Sequence, residues 1–264
     1  MSQGNPAKIE PLVPRFSPID TALPRLGVIA LATDLTFERD AARLIDWNEA
    51  RLHVARIPFD NPTTPDNLRA MGPNLKTAAA LLVPGVELSA IAFACTSASI
   101  TLSNETVTQA IGLSRPNVPV VTPSSAGLAA LKTLGAKRIA LLTPYLPETT
   151  APVVRYFETN GIAVKRCGCF GLGDDRDMAR IDLDALVEAA VSLDDPDVEA
   201  LFLSCTSLPA VDVIDAIETR IGKPVVSSNQ ATLWVMRGLA GLPAPARRAG
   251  RLFDYPPPDA SGAI

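Results

Sequence analysis

Residues 91–97 read IAFACTS, and residues 200–207 read ALFLSCTS. Each stretch is an apolar run of strand length that ends in Cys-Thr-Ser, and each precedes a segment with helical spacing. An apolar run bounded by small polar residues predicts a buried strand of a parallel sheet. Cys95 and Cys205 would then lie at the carboxyl ends of their strands, where open α/β sheets bind ligands. Two such cysteines could face one small substrate from opposite sides.

Two further pairs of segments repeat in the same order along the chain. Residues 25–31 resemble residues 138–143, and residues 119–122 resemble residues 224–227. Together with the two Cys-Thr-Ser stretches, they recur at a nearly constant offset of about 110 residues, which is too long for a solenoid repeat. We therefore interpret the sequence as an internal duplication in which each half forms a lobe.

Strand-like apolar segments alternate with segments of helical spacing through both halves. This alternation favours parallel sheets with right-handed crossovers. We predict an α/β fold with two pseudo-symmetric lobes, each a four-stranded parallel sheet flanked by helices. The predicted divisions are an N-terminal arm of residues 1–24, lobe 1 of residues 25–122 plus 229–241, lobe 2 of residues 123–228, and a mobile tail of residues 242–264.

The composition argues against several classes of protein. Of the 264 residues, 47% are hydrophobic and 20% are charged, which is ordinary for a globular domain. The formal net charge of −4 and the lack of a basic stripe argue against a nucleic-acid partner. The sequence has no apolar run of membrane-spanning length and no apolar core of a secretory signal near its start. We therefore expect no membrane partner, a cytoplasmic location and free cysteines.

The remaining candidate motifs are weaker. His53 is the only histidine, which argues against a His-rich metal site, and it is remote in sequence from both Cys-Thr-Ser stretches. Cys167 and Cys169 form C-x-C rather than the C-x-x-C of redox and zinc sites, and we expect them to be structural residues on one face of a strand. Residues 171–174 lack the third glycine of a dinucleotide-binding loop. We predict no metal and no cofactor.

The paired cysteines suit chemistry at carbon. Neighbouring amides can turn a thiol into a thiolate near neutral pH, so we expect Cys95 or Cys205 to alkylate faster than Cys167 and Cys169. One thiolate can take a proton from carbon while the opposite thiol returns one. Alternatively, one thiolate can attack carbon covalently.

The chain resembles the aspartate/glutamate racemase superfamily and, within it, the maleate isomerase branch, most closely the ectoine-utilisation proteins. The resemblance spans about residues 25–240 and is carried by segments within residues 27–38, 93–97, 121–123, 143–145 and 204–206. It implies a cofactor-independent enzyme that acts on a small carboxylate with Cys95 and Cys205. It also implies a homo-oligomer, either a dimer or a tetramer.

The resemblance also implies binding residues. Asp34 matches an acid or Asn after the first strand, Asp175 matches a second Asn, and Tyr145 matches a substrate-contacting Tyr. Maleate isomerases prefer Asn at the first position. An amide can donate to a substrate carboxylate whereas an ionised acid cannot, so the two acids favour a substrate with an ammonium or amidinium. Asp34 could instead cap a helix, Asp175 could be a solvated loop charge, and Tyr145 could be structural.

Hydroxyls and amides that follow the strand ends are further candidates for binding a carboxylate. These residues are Thr96, Ser97, Ser124, Ser125, Thr206 and Ser207. Helix capping explains any single one of them equally well.

We predict a two-cysteine racemase, epimerase or cis–trans isomerase of a small carboxylated, nitrogenous metabolite, which the resemblance connects to ectoine or hydroxyectoine breakdown. A maleate-type isomerase and an arylmalonate-type decarboxylase are the alternatives. Decarboxylases of this superfamily characteristically keep one of the two cysteines, and this chain has both. A non-enzymatic two-lobed sensor is a third possibility, although no DNA-binding segment is visible.

Overall fold

The computed structural model describes residues 9–17, 22–245 and 249–258. The first half contains β1 Arg25–Leu31, α1 Phe37–Leu44, β2 Arg51–Ile57, α2 Pro65–Arg69, α3 Leu75–Leu81, β3 Ala90–Phe93, α4 Thr96–Leu102, α5 Asn104–Gly112, β4 Val120–Val121 and α6 Pro123–Thr133. The second half contains β5 Arg138–Tyr145, α7 Pro147–Thr159, β6 Ala163–Leu172, α8 Asp175–Met178, α9 Leu183–Val191, β7 Ala200–Leu203, α10 Ile214–Ile221, β8 Val225–Ser227 and α11 Ser228–Leu239. None of the helices in these ranges is long and apolar enough to span a membrane.

The strands form two four-stranded parallel sheets with the same strand order. One sheet runs β2-β1-β3-β4 and the other runs β6-β5-β7-β8. Ile29 pairs with Phe93 in the first sheet, and Leu142 pairs with Leu203 at the equivalent place in the second. The fold class predicted from the sequence is confirmed, and the matching topology is what an internal duplication produces.

The strands β3 and β7 are the buried centres of the two sheets. All four residues of each strand are buried, as their unbroken apolar sequences predict. The helices α6 and α11 pack against each other, and α11 also contacts β3, β4 and β8. Gly127 of α6 allows a close approach of this helix to β7, since a Cβ at that position would lie 2.6 Å from the Phe202 ring. The helix α11 therefore contacts strands of both sheets, and the division into lobes remains a prediction.

The two halves differ directly after their cysteines. In the first half, α4 begins at Thr96, the residue that follows Cys95. In the second half, Cys205 is followed by a turn, and a short 3-10 helix begins only at Ala210. Pro209 has no N–H to donate and fixes its own φ, which accounts for the late start of the helix. The prediction of a helical segment after each Cys-Thr-Ser stretch is confirmed, directly after the cysteine in the first half and after a turn in the second.

Part of the segment interpreted as a mobile tail is packed. A 3-10 helix at Arg251–Asp254 buries Leu252 and Phe253, and the Trp234 Nε1–H donates to the Tyr255 carbonyl at 3.1 Å. Gly250 has a φ of +75°, which glycine adopts readily, and its N–H donates to Asp215 at 2.8 Å. The sequence-based expectation is therefore wrong for residues 249–258, because it weighed the prolines and arginines of this segment above its apolar residues. Residues 246–248 and 259–264 of the predicted tail, and residues 1–8 and 18–21 of the predicted arm, lie outside the described residues.

Candidate active site

Cys95 and Cys205 follow the carboxyl ends of β3 and β7, as predicted. Both are buried, each with 5% of its surface exposed. A negative charge on Cys95 raises the pKa of Cys205. Burial raises the pKa of Tyr145, and a negative charge on either thiol raises it further. The two thiols and the phenol therefore share one site between the sheets.

Cys95 occupies the position before the first residue of α4. Its Sγ lies 3.7 Å from Ser97 Oγ, and the Ala98 N–H lies beside it. Burial nevertheless raises the pKa of the Cys95 thiol to about 11, because desolvation outweighs the lowering by the Ala98 amide and the Ser97 hydroxyl, and the charges of Asp175 and Asp34 add smaller raising effects. In the closed structure Cys95 is therefore a neutral thiol at physiological pH.

Cys205 has a different surrounding. Its Sγ accepts a hydrogen bond from the Ser207 N–H at 3.3 Å and lies 4.0 Å from Met178 Sδ. Burial raises the pKa of the thiol to about 12, against the lowering effects of the Tyr145 hydroxyl and the Ser207 amide. The expectation that strand-end amides give a low-pKa thiol is wrong for both cysteines, because desolvation outweighs the hydrogen bonds.

Cys167 and Cys169 lie on one face of β6, as their spacing predicts, and both are exposed. Burial and the charge of Cys169 raise the pKa of Cys167 as well. Exposure therefore distinguishes these two cysteines from Cys95 and Cys205 more clearly than pKa does.

This difference reverses the predicted order of alkylation. In the ligand-free enzyme, we expect iodoacetamide to modify Cys167 and Cys169 at least about tenfold faster than Cys95 and Cys205, because a buried thiol must first be exposed and ionised. Peptide mass spectrometry over a time course measures all four rates in one sample. Labelling of Cys95 or Cys205 at the rate of the exposed pair would contradict the closed, neutral site.

Asp34 follows β1 and has the helix-capping contacts considered for it. Its Oδ1 accepts the N–H groups of Thr36 and Phe37 at 3.0 and 2.9 Å, so Asp34 satisfies the first turn of α1. Its Oδ2 is buried and has no hydrogen-bond partner among the described residues. Burial raises the pKa of Asp34 to about 6, and the Asp175 charge adds to this, while the two amides and Arg56 lower it. Asp34 therefore presents a buried acceptor that lacks a donor.

Asp175 is buried rather than a solvated loop charge. Thr33 Oγ1 donates to its Oδ2 at 2.5 Å, and Asn61 Nδ2 donates to its Oδ1 at 2.8 Å. Asp175 is the first residue of α8, and Asp174 caps this helix. Thr33 and Asn61 come from the first half, so Asp175 joins the two halves over the site. Sequence reasoning missed both partners, although each follows a strand of the first sheet.

The threonines after the two cysteines connect the halves. Thr96 Oγ1 donates to Ser228 Oγ at 2.8 Å, and Thr206 Oγ1 donates to the Ala94 carbonyl at 3.0 Å. Both hydroxyls already donate their protons to groups of the protein, so Thr96 or Thr206 would have to contact a substrate through other atoms, such as the backbone N–H. Ser228 was not recognised from the sequence, because a serine at the start of a helix carries no distinctive signal.

Ser97 and Ser207 lie at the site, whereas the structure does not bring Ser124 and Ser125 to the sulfurs. Ser97 Oγ and the Ser207 N–H are the groups already described beside Cys95 and Cys205. Ser124 Oγ instead donates to Asn104 Oδ1 at 2.7 Å, and Ser125 Oγ contacts Thr122 Oγ1 at 2.9 Å. The substrate-binding role predicted for Ser124 and Ser125 has no support from these contacts.

Within residues 9–17, 22–245 and 249–258, no group of three or more His, Cys, Asp or Glu side chains is arranged to hold a metal ion. His53 lies on β2 and is half-buried, and burial lowers its pKa. It stays a structural residue in our interpretation.

The fold and the buried cysteines define an enzyme of the cysteine-based isomerase and decarboxylase class, and comparison with known proteins agrees. A family model described as arylmalonate decarboxylase matches residues 74–253. The chain is 34% identical to the arylmalonate decarboxylase of Bordetella bronchiseptica over 180 residues, which cover 67% of this chain and 72% of that relative. The chain belongs to the arylmalonate decarboxylase family.

Solved structures extend the likeness to maleate isomerases. The maleate isomerase Iso from Pseudomonas putida S16 has a TM-score of 0.80 and 25% identity, and the match covers 88% of this chain and 98% of that one. A cysteine-to-serine mutant of the Nocardia farcinica maleate cis–trans isomerase, with a covalently bound succinylcysteine intermediate, has a TM-score of 0.80 and 23% identity over 88% of this chain and 98% of that one. The predicted resemblance to maleate isomerases and arylmalonate decarboxylases, with the racemase-like fold, is confirmed, and the closer likeness to ectoine-utilisation proteins remains a prediction.

Proposed function

We propose that this chain is a racemase or epimerase of a small carboxylated metabolite that carries a cationic nitrogen near its reacting carbon. The observation that carries the proposal is the unpartnered, buried Oδ2 of Asp34 in the same site as two buried thiols. A buried acceptor without a donor is costly, and a substrate N–H or ammonium would supply the missing partner.

The electrostatics of the site support a cationic substrate. Asp34 and Asp175 both raise the pKa of Cys95, so the empty site disfavours a thiolate there. A cation beside these carboxylates would reduce that repulsion and lower the pKa of the thiol on binding. A bare dicarboxylate would add negative charge to a site that already holds two acids.

Proton transfer between two faces of one carbon accounts for both cysteines. The thiolate of one cysteine takes the proton of the reacting C–H bond, and the electron pair moves into the adjacent carboxylate to give an enediolate. The opposite thiol then gives its proton to the other face, and the electron pair returns to form the new C–H bond. One cysteine ends as a thiol and the other as a thiolate, so the reverse direction exchanges their roles.

The groups beside the sulfurs have supporting roles in this scheme. The Ser207 N–H and the Tyr145 hydroxyl favour the thiolate of Cys205, and the Ala98 N–H favours that of Cys95. The first amides of α4, at Thr96 and Ser97, have no partner within the helix and suit the substrate carboxylate. No cofactor enters the scheme.

A maleate-type cis–trans isomerase is the second candidate, because a Nocardia relative carries a succinylcysteine adduct. In that case one thiolate adds to an alkene and permits rotation about the resulting single bond. An arylmalonate-type decarboxylase is the third, because the family model and a curated relative bear that description. A place in ectoine or hydroxyectoine breakdown, a cytoplasmic location and a dimer or tetramer complete the proposal.

A panel of substrates separates these candidates. We expect racemisation, followed by chiral chromatography, for amino or amidino carboxylates, at rates at least about a hundredfold above those for maleate or arylmalonates, because a buried charge without its partner weakens binding by several kcal/mol. Isomerised maleate or released carbon dioxide as the faster product would assign the chain to the second or third candidate.

A further inference from the structure

Ser228 connects the two cysteine loops through a single hydroxyl. It is the first residue of α11 and is fully buried. Its Oγ accepts the Cys205 N–H at 3.1 Å and the Thr96 hydroxyl at 2.8 Å. One oxygen therefore holds the backbone of one cysteine and the residue next to the other.

The duplicated half has no equivalent of this hydroxyl. Thr122 caps α6 as Ser227 caps α11, so Pro123 is the counterpart of Ser228. Proline has no side-chain acceptor, and the Cys95 N–H instead donates to the Phe93 carbonyl at 2.9 Å. Of the two cysteines, only Cys205 therefore has its own backbone N–H held by a side-chain hydroxyl of the following helix.

The backbone of Cys205 shows the same asymmetry. Its φ is +152°, which L-residues rarely adopt, whereas that of Cys95 is −153°. A residue in such a conformation needs its surroundings to hold it there, and these residues cluster at functional sites. In this conformation the Cys205 N–H donates to Ser228 Oγ, which therefore helps to hold the backbone there.

We propose that Ser228 is a positioning residue that fixes the direction of the Cys205 sulfur relative to Cys95. It does not touch the reacting atoms and acts through the backbone of Cys205. In the racemase scheme, on which this inference rests, its loss weakens the half-reaction served by Cys205 and largely spares the one served by Cys95. A small misplacement of a reacting group is enough for a large loss of rate.

The test is the rate at which each enantiomer exchanges its reacting hydrogen with deuterated water. The Cys95→Ser variant first identifies the enantiomer that Cys205 serves. In Ser228→Ala, we expect that enantiomer's exchange to fall about tenfold or more, while the other changes by about twofold or less. Ser228→Thr, which keeps the hydroxyl, should restore the ratio of the two rates.

Ser99→Ala is the matched control. Ser99 is equally buried and donates to the Thr96 carbonyl at 2.9 Å, but it makes no contact with the Cys205 loop. Because the Ser99 hydroxyl bonds to the segment that follows Cys95 and not to the Cys205 loop, we expect this variant to spare the exchange served by Cys205. An equal fall of both rates in Ser228→Ala would make Ser228 merely structural and overturn the inference. If Ser228→Ala does not fold, Ser228→Cys, close in size with a weaker acceptor, replaces it.

A readout without substrate separates this inference from the proposed function. In Ser228→Ala, iodoacetamide should modify Cys205 about fivefold faster than in the wild type, while the rate at Cys95 changes by less than about twofold, because Cys205 loses a backbone hydrogen bond whereas Cys95 loses none of its own. If the wild type exchanges no substrate hydrogen, the proposed function fails and this arm still decides the role of Ser228. Equal changes in the iodoacetamide rates of both cysteines, or no change in either rate, would overturn the positioning role of Ser228.

Discussion

Replacing either Cys95 or Cys205 by serine will lower racemisation by about a thousandfold or more. Each direction of the proposed reaction needs one sulfur as base and the other as acid, so neither variant retains a complete pair. A serine hydroxyl ionises far above a thiol and cannot serve as the base. The measurement is turnover of a substrate found in the panel, followed by chiral chromatography.

Cys167→Ser is the matched control for these two variants, since Cys167 is exposed on β6. It should retain turnover within about twofold, as surface substitutions usually have small effects. Loss of activity in only one of the two buried-cysteine variants would favour covalent catalysis by a single thiolate.

Replacing Asp34 by asparagine will remove most of the activity toward a cationic substrate. We expect kcat/KM to fall about a hundredfold, because the substrate nitrogen would lose its buried charged partner. In the wild type, kcat/KM should fall as the pH decreases through about 6, where Asp34 takes up a proton. The variant should lack this dependence, and its remaining activity should shift toward dicarboxylates.

The same substitution has an effect on stability with a definite sign. The pKa of Asp34 is about 6 in the folded protein against 3.8 for the unperturbed group, so its ionised form lowers the stability of the fold above pH 6. Asp34→Asn should increase the free energy of unfolding by up to about 3 kcal/mol at pH 8. This gain should vanish below about pH 4, where Asp34 is protonated in both the folded and the unfolded wild type. Thermal unfolding at the two pH values measures this difference.

Asp40→Asn is the control for burial. Asp40 is as buried as Asp34 but accepts from Asn229 at 2.8 Å and pairs with Arg39 at 3.2 Å. Burial also raises the pKa of Asp40, although Asn229 and Arg39 lower it, so Asp40→Asn should gain less stability at pH 8 than Asp34→Asn. An equal or larger gain in Asp40→Asn, or a loss in Asp34→Asn, would contradict the account of the unpartnered oxygen.

The sequence predicts the fold and the position of the cysteines because both depend on local patterns. Buried parallel strands have distinctive apolar runs, and the residue after such a strand must lie at the ligand-binding edge of its sheet. Cys95, Cys205 and Asp34 all follow from that rule. The short length of β4, only Val120–Val121, does not, since strand ends depend on pairing with β3.

The remaining features of the site depend on contacts between distant parts of the chain. Asp175 meets Thr33 and Asn61 across more than a hundred residues, and nothing in the spacing of these residues indicates it. The pKa of the thiols could not be predicted either, because it depends on how completely the two halves exclude water. Nothing in the sequence distinguishes Ser228 from the other serines, because its role depends on the fold that places its hydroxyl between the two cysteine loops.

The most direct test of the proposed reaction is solvent deuterium exchange by the Cys95→Ser and Cys205→Ser variants. Each variant keeps one sulfur that can still remove a hydrogen from the face it contacts and return deuterium to the same face. The account predicts that each variant places deuterium on the reacting carbon of one enantiomer only, and that the two variants label opposite enantiomers. Absence of deuterium in both, together with a substrate adduct trapped on a single cysteine, would contradict the racemase and establish covalent isomerisation.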